Sequence, residues 1–505
     1  MSDLIITHFD SAYIQVKCDR ALSKELSQYF TFFVPNYQYT PAYKNKIWDG
    51  QIRLFNVHSG KLYAGLTDYL LQFAKDRNYT VEYEIPEIEK VSPEQVFSFI
   101  KNLKISIGDK EIMPHEHQFD AIHHAINKRR CLLLSPTGSG KSLIIYVLIR
   151  YYLSKLPDDK KVLVIVPTTG LVTQMMSDFE DYSGLSKWNA KRNCHTVYSG
   201  QAKKSTKRVT ISTWQSIYKL PQSEFEDVGA VIGDECHLFK AKSLMGLLTK
   251  LTDAEYRVGT TGTLDGTLTH KLVIEGLFGK VKRVVTTKDL MEKNLLSNID
   301  IQCVTLDHAD KTKREAKKLK YQEEMDFLVN HTPRNKFICD LVSNLKGNTL
   351  VLFNYVEKHG KPLYNMIGAT KSDEYETHLI YGGTDVSQRE DIRKLMEKKT
   401  NTILVASYGT CSTGINIRNI NNIVFASPSK SVVRVLQSIG RGLRKAENKN
   451  NLKVFDISDD LRIKSSVNHT YNHMLARLKI YKNENFNYKV LKVKLEGVKD
   501  GSELI

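Results

Sequence analysis

Two clusters of side chains have the types and spacing that chemistry on a phosphate requires. The first is VIGDECHLF, residues 231–239, where Asp234 and Glu235 stand side by side at the end of an apolar run. Ionised carboxylates are costly to desolvate, so such a pair needs a cation, a hydrogen-bond network or water to accept it. An isolated acidic dipeptide usually marks a strand running out into solvent. The second cluster changes that reading. CLLLSPTGSGKSLIIYVLIRYYL, residues 131–153, runs from strand to Gly-rich turn to helix. Gly138 and Gly140 permit tight turns whose amides face a phosphate, and the following helix points its positive end at the same place. The loop Pro136, Thr137, Gly138, Ser139, Gly140, Lys141 and Ser142 is therefore read as a nucleotide cradle. Lys141 neutralises the β and γ phosphates, and Ser142 offers an oxygen to Mg²⁺. Ser135 stands where the general pattern has its first glycine. With that loop present, Asp234 becomes the carboxylate that holds Mg²⁺ and Glu235 the base that orients an attacking water.

Parallel strands buried on both faces should position these residues. Short Val/Ile/Leu runs recur with helical stretches between them: CLLL, VLVIV, VTI, AVIG and YRVG between 131 and 259, then TLVLF, HLIY, TILVA, NIVFA and KVFDI between 349 and 457. A charge-rich stretch from about 281 to 345 breaks the rhythm, so two successive α/β domains are expected rather than one sheet. The lobes are placed at 105–290 and 325–460, with linkers at 91–104 and 291–324. Residues 1–90 read as a small α+β domain, with QIRLF and KLYAG forming a hairpin around NVHSG before a helix at about 66–76. Residues 461–505 form a C-terminal extension with a helix near 467–482 and a basic, alternating tail suited to an edge strand.

The chain has 505 residues, too many for one core, and 73 Lys and Arg against 56 Asp and Glu give a formal charge of +17. That excess favours a polyanionic partner, nucleic acid ahead of an anionic membrane surface. No apolar run is long enough to span a bilayer, and MSDLIITHFD lacks the basic start and long apolar stretch of a secretion signal, so a cytoplasmic location and no membrane partner are expected. The seven cysteines are scattered singly and read as reduced thiols, Cys236 included.

Taken in order, SPTGSGKS (135–142), VPTTGLVTQ (166–174), STWQS (212–216), DECH (234–237), TGT (261–263), ASYGTCSTGIN (406–416) and QSIGRGLR (437–444) resemble the motif set of superfamily 2 helicases. The resemblance covers about 105–460 and implies two tandem RecA-like domains, ATP and Mg²⁺ as cofactors, and a nucleic-acid strand running across both lobes. It implies that Gln118 contacts adenine. It also implies that Arg441 and Arg444 act as arginine fingers on the transferring phosphoryl group. His237, Thr261, Thr263, Thr413, Gly414 and Gln437 would couple nucleotide to strand, and Thr168, Thr169, Thr213 and Trp214 would lie along the nucleic acid. Gln437, where RNA helicases of the DEAD-box type have His, and the DECH box both point away from that branch. YKNKIWDGQIRLF (43–55) and RNKF (334–337) extend the likeness to tailed-phage helicases that remodel branched DNA. By that likeness 1–90 is a nucleic-acid-binding domain, in which Lys44, Lys46 and Arg53 contact DNA while Tyr43 and Trp48 either stack on bases or fill a small core. RNA–DNA hybrids are a further expected substrate. An RNA-directed helicase and a nucleic-acid-binding ATP switch that does not step are the competing readings.

Overall fold

The computed structural model describes residues 2–85, 88–198, 205–238, 242–264, 268–370, 375–414, 417, 419–427, 439–440, 451–464, 466 and 468–495. The chain forms two compact units, Met1–Val285 and Thr286–Ile505.

At the heart of the first unit is a parallel seven-stranded sheet. Its strand order is Cys194–Val197, Val209–Thr213, Lys161–Val166, Val228–Gly233, Tyr256–Thr261, Arg130–Leu134, Val281–Arg283. Every residue of Val228–Gly233 and of Tyr256–Thr261 is buried, as continuous apolar runs require when helices cover both faces. The helix Lys141–Lys155 has Leu143 to Ile149 buried without interruption, so it is wrapped by protein on all sides rather than lying on a surface. Two edge strands escape the apolar-run criterion. Cys194–Val197 is half polar, and Val281–Arg283 carries two cations on a sheet edge that water reaches.

Residues 1–90 have their own five-stranded sheet, ordered Phe55–Asn56, Lys61–Tyr63, Tyr13–Cys18, Leu4–His8, Val81–Glu84. Only the tip of the expected hairpin is present, with Phe55 opposite Leu62 and Asn56 opposite Lys61, because Gln51–Arg53 pairs instead with Thr31–Phe33 in a separate two-stranded sheet; the helix Thr67–Asp76 follows. This part is not free-standing. Its core residues Leu66, Leu70 and Phe73 are continuous with Leu272, Val273, Ile274 and Leu277 of the neighbouring helix Leu268–Phe278. Tyr69 Oη donates to Glu275 Oε2 at 2.7 Å, and Arg130 Nη2 donates to Ser11 O at 2.7 Å. A Cβ at Gly65 would collide with the Glu275 carbonyl, so only glycine permits this approach. The stretch 91–104, read as a linker, is a capped helix, Pro93–Asn102, that buries Val96 and Ile100 against the lobe.

In the second unit the parallel sheet is ordered Glu376–Ile380, Thr402–Ser407, Thr349–Phe353, Asn422–Phe425, Asn451–Asp460, Asn298–Asp307, Tyr488–Lys494. Asn298–Asp307 lies inside the stretch read as the linker 291–324, yet it is one of the two longest strands of the sheet. Its sequence NIDIQCVTLD alternates polar and apolar residues amid charged neighbours, which hid it. The basic tail holds the expected edge strand, Tyr488–Lys494, which pairs with Asn298–Asp307 and completes this sheet. The helix His469–Asn483 is pinned beneath it by Arg477, whose Nε and Nη2 donate to the buried Asp456 carboxylate at 2.7–3.0 Å, with Tyr481 Oη adding a bond at 2.8 Å. Arg334 of RNKF is fully buried, donating to both Asp459 oxygens at 3.0 Å and to Ala426 O at 2.8 Å. Paired and hydrogen-bonded in this way, the ions avoid the penalty of an isolated buried charge.

Candidate active site

The acidic pair sits where it does because the strand Val228–Gly233 continues its pairing one residue further, Asp234 N donating to Ile165 O at 2.9 Å, and then stops abruptly. Glu235 takes a left-handed backbone, φ +53°, which L-residues rarely adopt. Its amide folds back onto Asp234 Oδ1 at 2.9 Å. That turn sends the Glu235 carboxylate toward the Gly-rich loop, where Oε1 lies 3.8 Å from Lys141 Nζ. Asp234 Oδ1 also accepts a 2.6 Å hydrogen bond from Thr260 Oγ1 on the neighbouring strand, and both partners are buried.

Across from the acids, the loop is tightened by its own side chains. Gly138 and Gly140 have φ of +86° and +79°. Ser139 Oγ donates to Pro136 O at 2.7 Å, with Ser135 Oγ 2.6 Å away. Lys141 Nζ donates to Ser135 O at 3.2 Å and Pro136 O at 3.4 Å, so the ammonium lies over the loop it belongs to. No side chain caps the first turn of Lys141–Lys155, which leaves the helix start suited to an anion. Thr137 is half-buried in the same turn. Ser142 Oγ is 3.1 Å from Tyr182 Oη.

Gln118 is buried with both ends of its amide engaged. Oε1 accepts from His115 N at 2.8 Å, and Nε2 donates to Ser139 O at 3.0 Å. In this structure it clamps the loop. A Cβ at Gly140 would displace Gln118 Nε2 from the loop, and the φ of +79° strains any L side chain there.

His237 links the acids to the TGT segment. Its Nδ1 is 3.0 Å from Thr261 Oγ1 and 3.3 Å from Glu235 Oε2. Thr261 Oγ1 donates to Thr263 O at 2.8 Å and so accepts from His237, which assigns the proton to Nδ1. Glu235, His237, Thr261 and Thr263 thus form one connected series. His237 Nε2 and Thr263 Oγ1 are buried without a hydrogen-bond partner, and Glu235 Oε2 has only the 3.3 Å approach of His237 Nδ1. Two unsatisfied polar atoms at one place indicate a site built for a group that completes it.

Burial raises the Asp234 carboxyl well above its usual range, and the charge of Glu235 adds to that. Burial acts the same way on Glu235, but Lys141 and His237 outweigh it and hold that carboxyl low. The two neighbours are thereby differentiated: Glu235 is kept ionised by the Lys141 ammonium and its contact with His237, whereas Asp234 calls for an added cation. Asp234 and Ser142 fit a hard divalent cation. Among the described residues no three His, Cys, Asp or Glu side chains converge, so such an ion would draw its other oxygens from phosphate and water, as Mg²⁺ does with nucleotides.

The remaining expected residues fall in varied places. Thr168 caps the helix Thr169–Tyr182 and Thr169 is exposed. Thr213 is buried with Oγ1 2.8 Å from Ser216 Oγ, and Trp214 packs against Tyr218. Lys44, Lys46 and Arg53 are exposed, whereas Tyr43 and Trp48 are half-buried beside them rather than in a closed core. Thr413 and Gly414 lie in the helix Tyr408–Gly414, with side-chain surroundings outside the described set, and Gln437, Arg441 and Arg444 lie outside the described residues. Sequence reasoning missed Thr260 and Tyr182. Thr260 precedes TGT in a run of threonines, and only the sheet register, which sets Ile232 beside Val258 and Gly233 beside Gly259, brings it to Asp234.

Comparison with known proteins follows the same division. The type III restriction enzyme res-subunit family matches residues 111–266, the helicase conserved C-terminal domain 333–446, and the N-terminal domain of the DNA helicase UvsW 3–84. The chain is 32% identical over 508 residues to the ATP-dependent DNA helicase uvsW of Enterobacteria phage T4, covering 98% of this chain and 100% of that protein. It is 22% identical over 465 residues to the DNA 3'-5' translocase XPB2 of Sulfurisphaera tokodaii, covering 83% and 94%. The crystal structure of T4 UvsW matches with a TM-score of 0.52 at 29% identity, over 98% of this chain and 100% of that one. The two parallel sheets are thus RecA-like lobes preceded by a UvsW-type N-terminal domain, and the chain belongs to the UvsW family of ATP-dependent helicases within superfamily 2.

Proposed function

We propose that this helicase acts on branched DNA, unwinding or branch-migrating forks, four-way junctions and R-loops in phage replication, recombination and repair. The observation that carries the proposal is the likeness to the T4 helicase through the whole chain, N-terminal domain included, rather than through the motor lobes alone. The formal charge of +17 supports a nucleic-acid partner.

In this reading Lys141 binds the β and γ phosphates, and Ser142 and Asp234 hold Mg²⁺, which when bound neutralises charge on the phosphates. Glu235 accepts a proton from the water it orients. His237, Thr261 and Thr263 carry the state of that acid toward the strand Tyr256–Thr261 and the loop after it. Arg441 and Arg444 stabilise charge on the transferring phosphoryl group. The test is release of a triplex-forming strand from duplex DNA. ATP-dependent release establishes stepping. ATP turnover on DNA without release makes the protein an ATP switch, and release confined to RNA substrates makes it an RNA motor.

A further inference from the structure

On the N-terminal domain, away from the nucleotide site, the segment from Gln38 to Arg53 surrounds a cavity of about 810 Å³. Its construction is specific. Thr40 caps the one-turn helix Pro41–Lys44. Lys46 then takes a left-handed backbone, φ +56°, and reverses the chain. The amides of Ile47 and Trp48 both donate to Ala42 O, at 2.9 and 3.2 Å, which fastens the tip. Trp48 Nε1 donates to Gln51 O at 2.9 Å, so the indole is oriented by the strand Gln51–Arg53. The result is a held loop that presents Ile47 with 78% of its surface exposed, and the half-buried aromatic side chains Tyr43 and Trp48 line the same cavity.

Charged side chains share this lining. Lys44, Lys46 and Arg53 line the cavity against a single carboxylate, Asp49, which pairs with Arg53. Lys44 and Lys46 have no ion-pair partner among the described residues. Apolar and aromatic surfaces beside unpaired cations match a nucleobase with its flanking phosphates. Paired bases in a duplex keep their faces stacked, so only a nucleotide that has left the stack can present a face to Ile47 and Trp48. The volume is in the range of small-ligand cavities, about 300–1,000 Å³.

We propose that this cavity receives one unpaired nucleotide at the branch point of DNA, its base against Ile47 and Trp48 and its phosphates on Lys44 and Lys46. The proposal deepens the branched-DNA reading and rests on it.

The test uses the full chain and a fluorescein-labelled forked duplex whose first unpaired nucleotide is either intact or abasic. The wild-type protein should bind the intact fork about fivefold or more tightly than the abasic one, as stacking of one base provides. Ile47→Asp should abolish that ratio, and Ile47→Phe should preserve it; the exposure of this side chain leaves the fold unaffected. Lys44→Gln with Lys46→Gln should weaken both forks alike and lower the salt dependence by about two phosphates' worth. Equal wild-type affinity for the two forks overturns the proposal, and so does a ratio that survives Ile47→Asp. If none of these variants changes affinity for any DNA, this face does not touch DNA and the proposal fails, while a preference of the wild-type chain for forked over linear duplex still upholds the branched-DNA reading.

Discussion

Thr260→Val isolates one hydrogen bond in the acidic site. The hydroxyl donates to Asp234 Oδ1 at 2.6 Å in a fully buried setting, while Val keeps the β-branched shape that the strand Tyr256–Thr261 packs around. Oδ1 retains the Glu235 amide at 2.9 Å, so the carboxylate loses one of its two donors rather than being stranded. A hydrogen bond to a charged group is worth about 1.5–3 kcal/mol, equivalent to roughly 10- to 100-fold in an equilibrium constant. Loss of such an orienting partner costs about the same in metal affinity or activity. The variant should therefore need about 10- to 100-fold more Mg²⁺ for half-maximal ATPase activity, with an unchanged melting temperature within a few degrees. Titrating Mg²⁺ at saturating ATP and DNA measures this. A variant with wild-type Mg²⁺ dependence would refute the assignment of Asp234 as the metal-side carboxylate.

Lys141→Ala should abolish ATP hydrolysis but leave most DNA affinity, which comes from cations spread over the chain; near-normal turnover would remove Lys141 from the phosphates. Glu235→Gln should still bind Mg-ATP and release it slowly, because Asp234 keeps the metal, whereas loss of nucleotide binding in a retention assay would give Glu235 the metal role. On its proposed role in stabilising transition-state charge, Arg444→Ala should lower the DNA-stimulated rate far more than ATP affinity, and equal losses would mean ordinary ground-state binding. Despite burial, Arg334 and His308 hold the Asp459 carboxyl below its usual range. Its stabilisation is therefore complete above the unfolded value of about 4 and is lost as pH falls through the lower folded value. Asp459→Asn should destabilise the second unit by about 3–5 kcal/mol at pH 7, with the gap to wild type narrowing in acid, and a gap in thermal unfolding that stays constant with pH would contradict this.

The Gly-rich loop and the acidic pair were recognisable from residue types at fixed local spacing, and the sheet sets Lys141 Nζ 3.8 Å from Glu235 Oε1. Ten strands were legible as apolar runs. Thr260 was not, because its role comes from register between two strands, and a threonine in a strand has no distinguishing local signal. Asn298–Asp307 was hidden by its alternating polar residues, which suit a strand whose neighbour on one side is the partly exposed edge Tyr488–Lys494. The N-terminal domain was expected to be separable. Its core instead merges with Leu272 to Leu277, so deleting 1–90 would bare an apolar helix face, and point substitutions at Ile47, Lys44 and Lys46 are the sound probes of its role.

In the proposed function, ATP hydrolysis at Lys141, Asp234 and Glu235 drives the remodelling of branched DNA. Strand release from a four-way junction, compared with a linear duplex of the same sequence and with the full-length protein in each case, tests it most directly. ATP-dependent release from the junction should proceed at a rate well above that from the linear duplex, with none from either substrate for Lys141→Ala. Equal rates on the two substrates, or junction release that persists in Lys141→Ala, would contradict it.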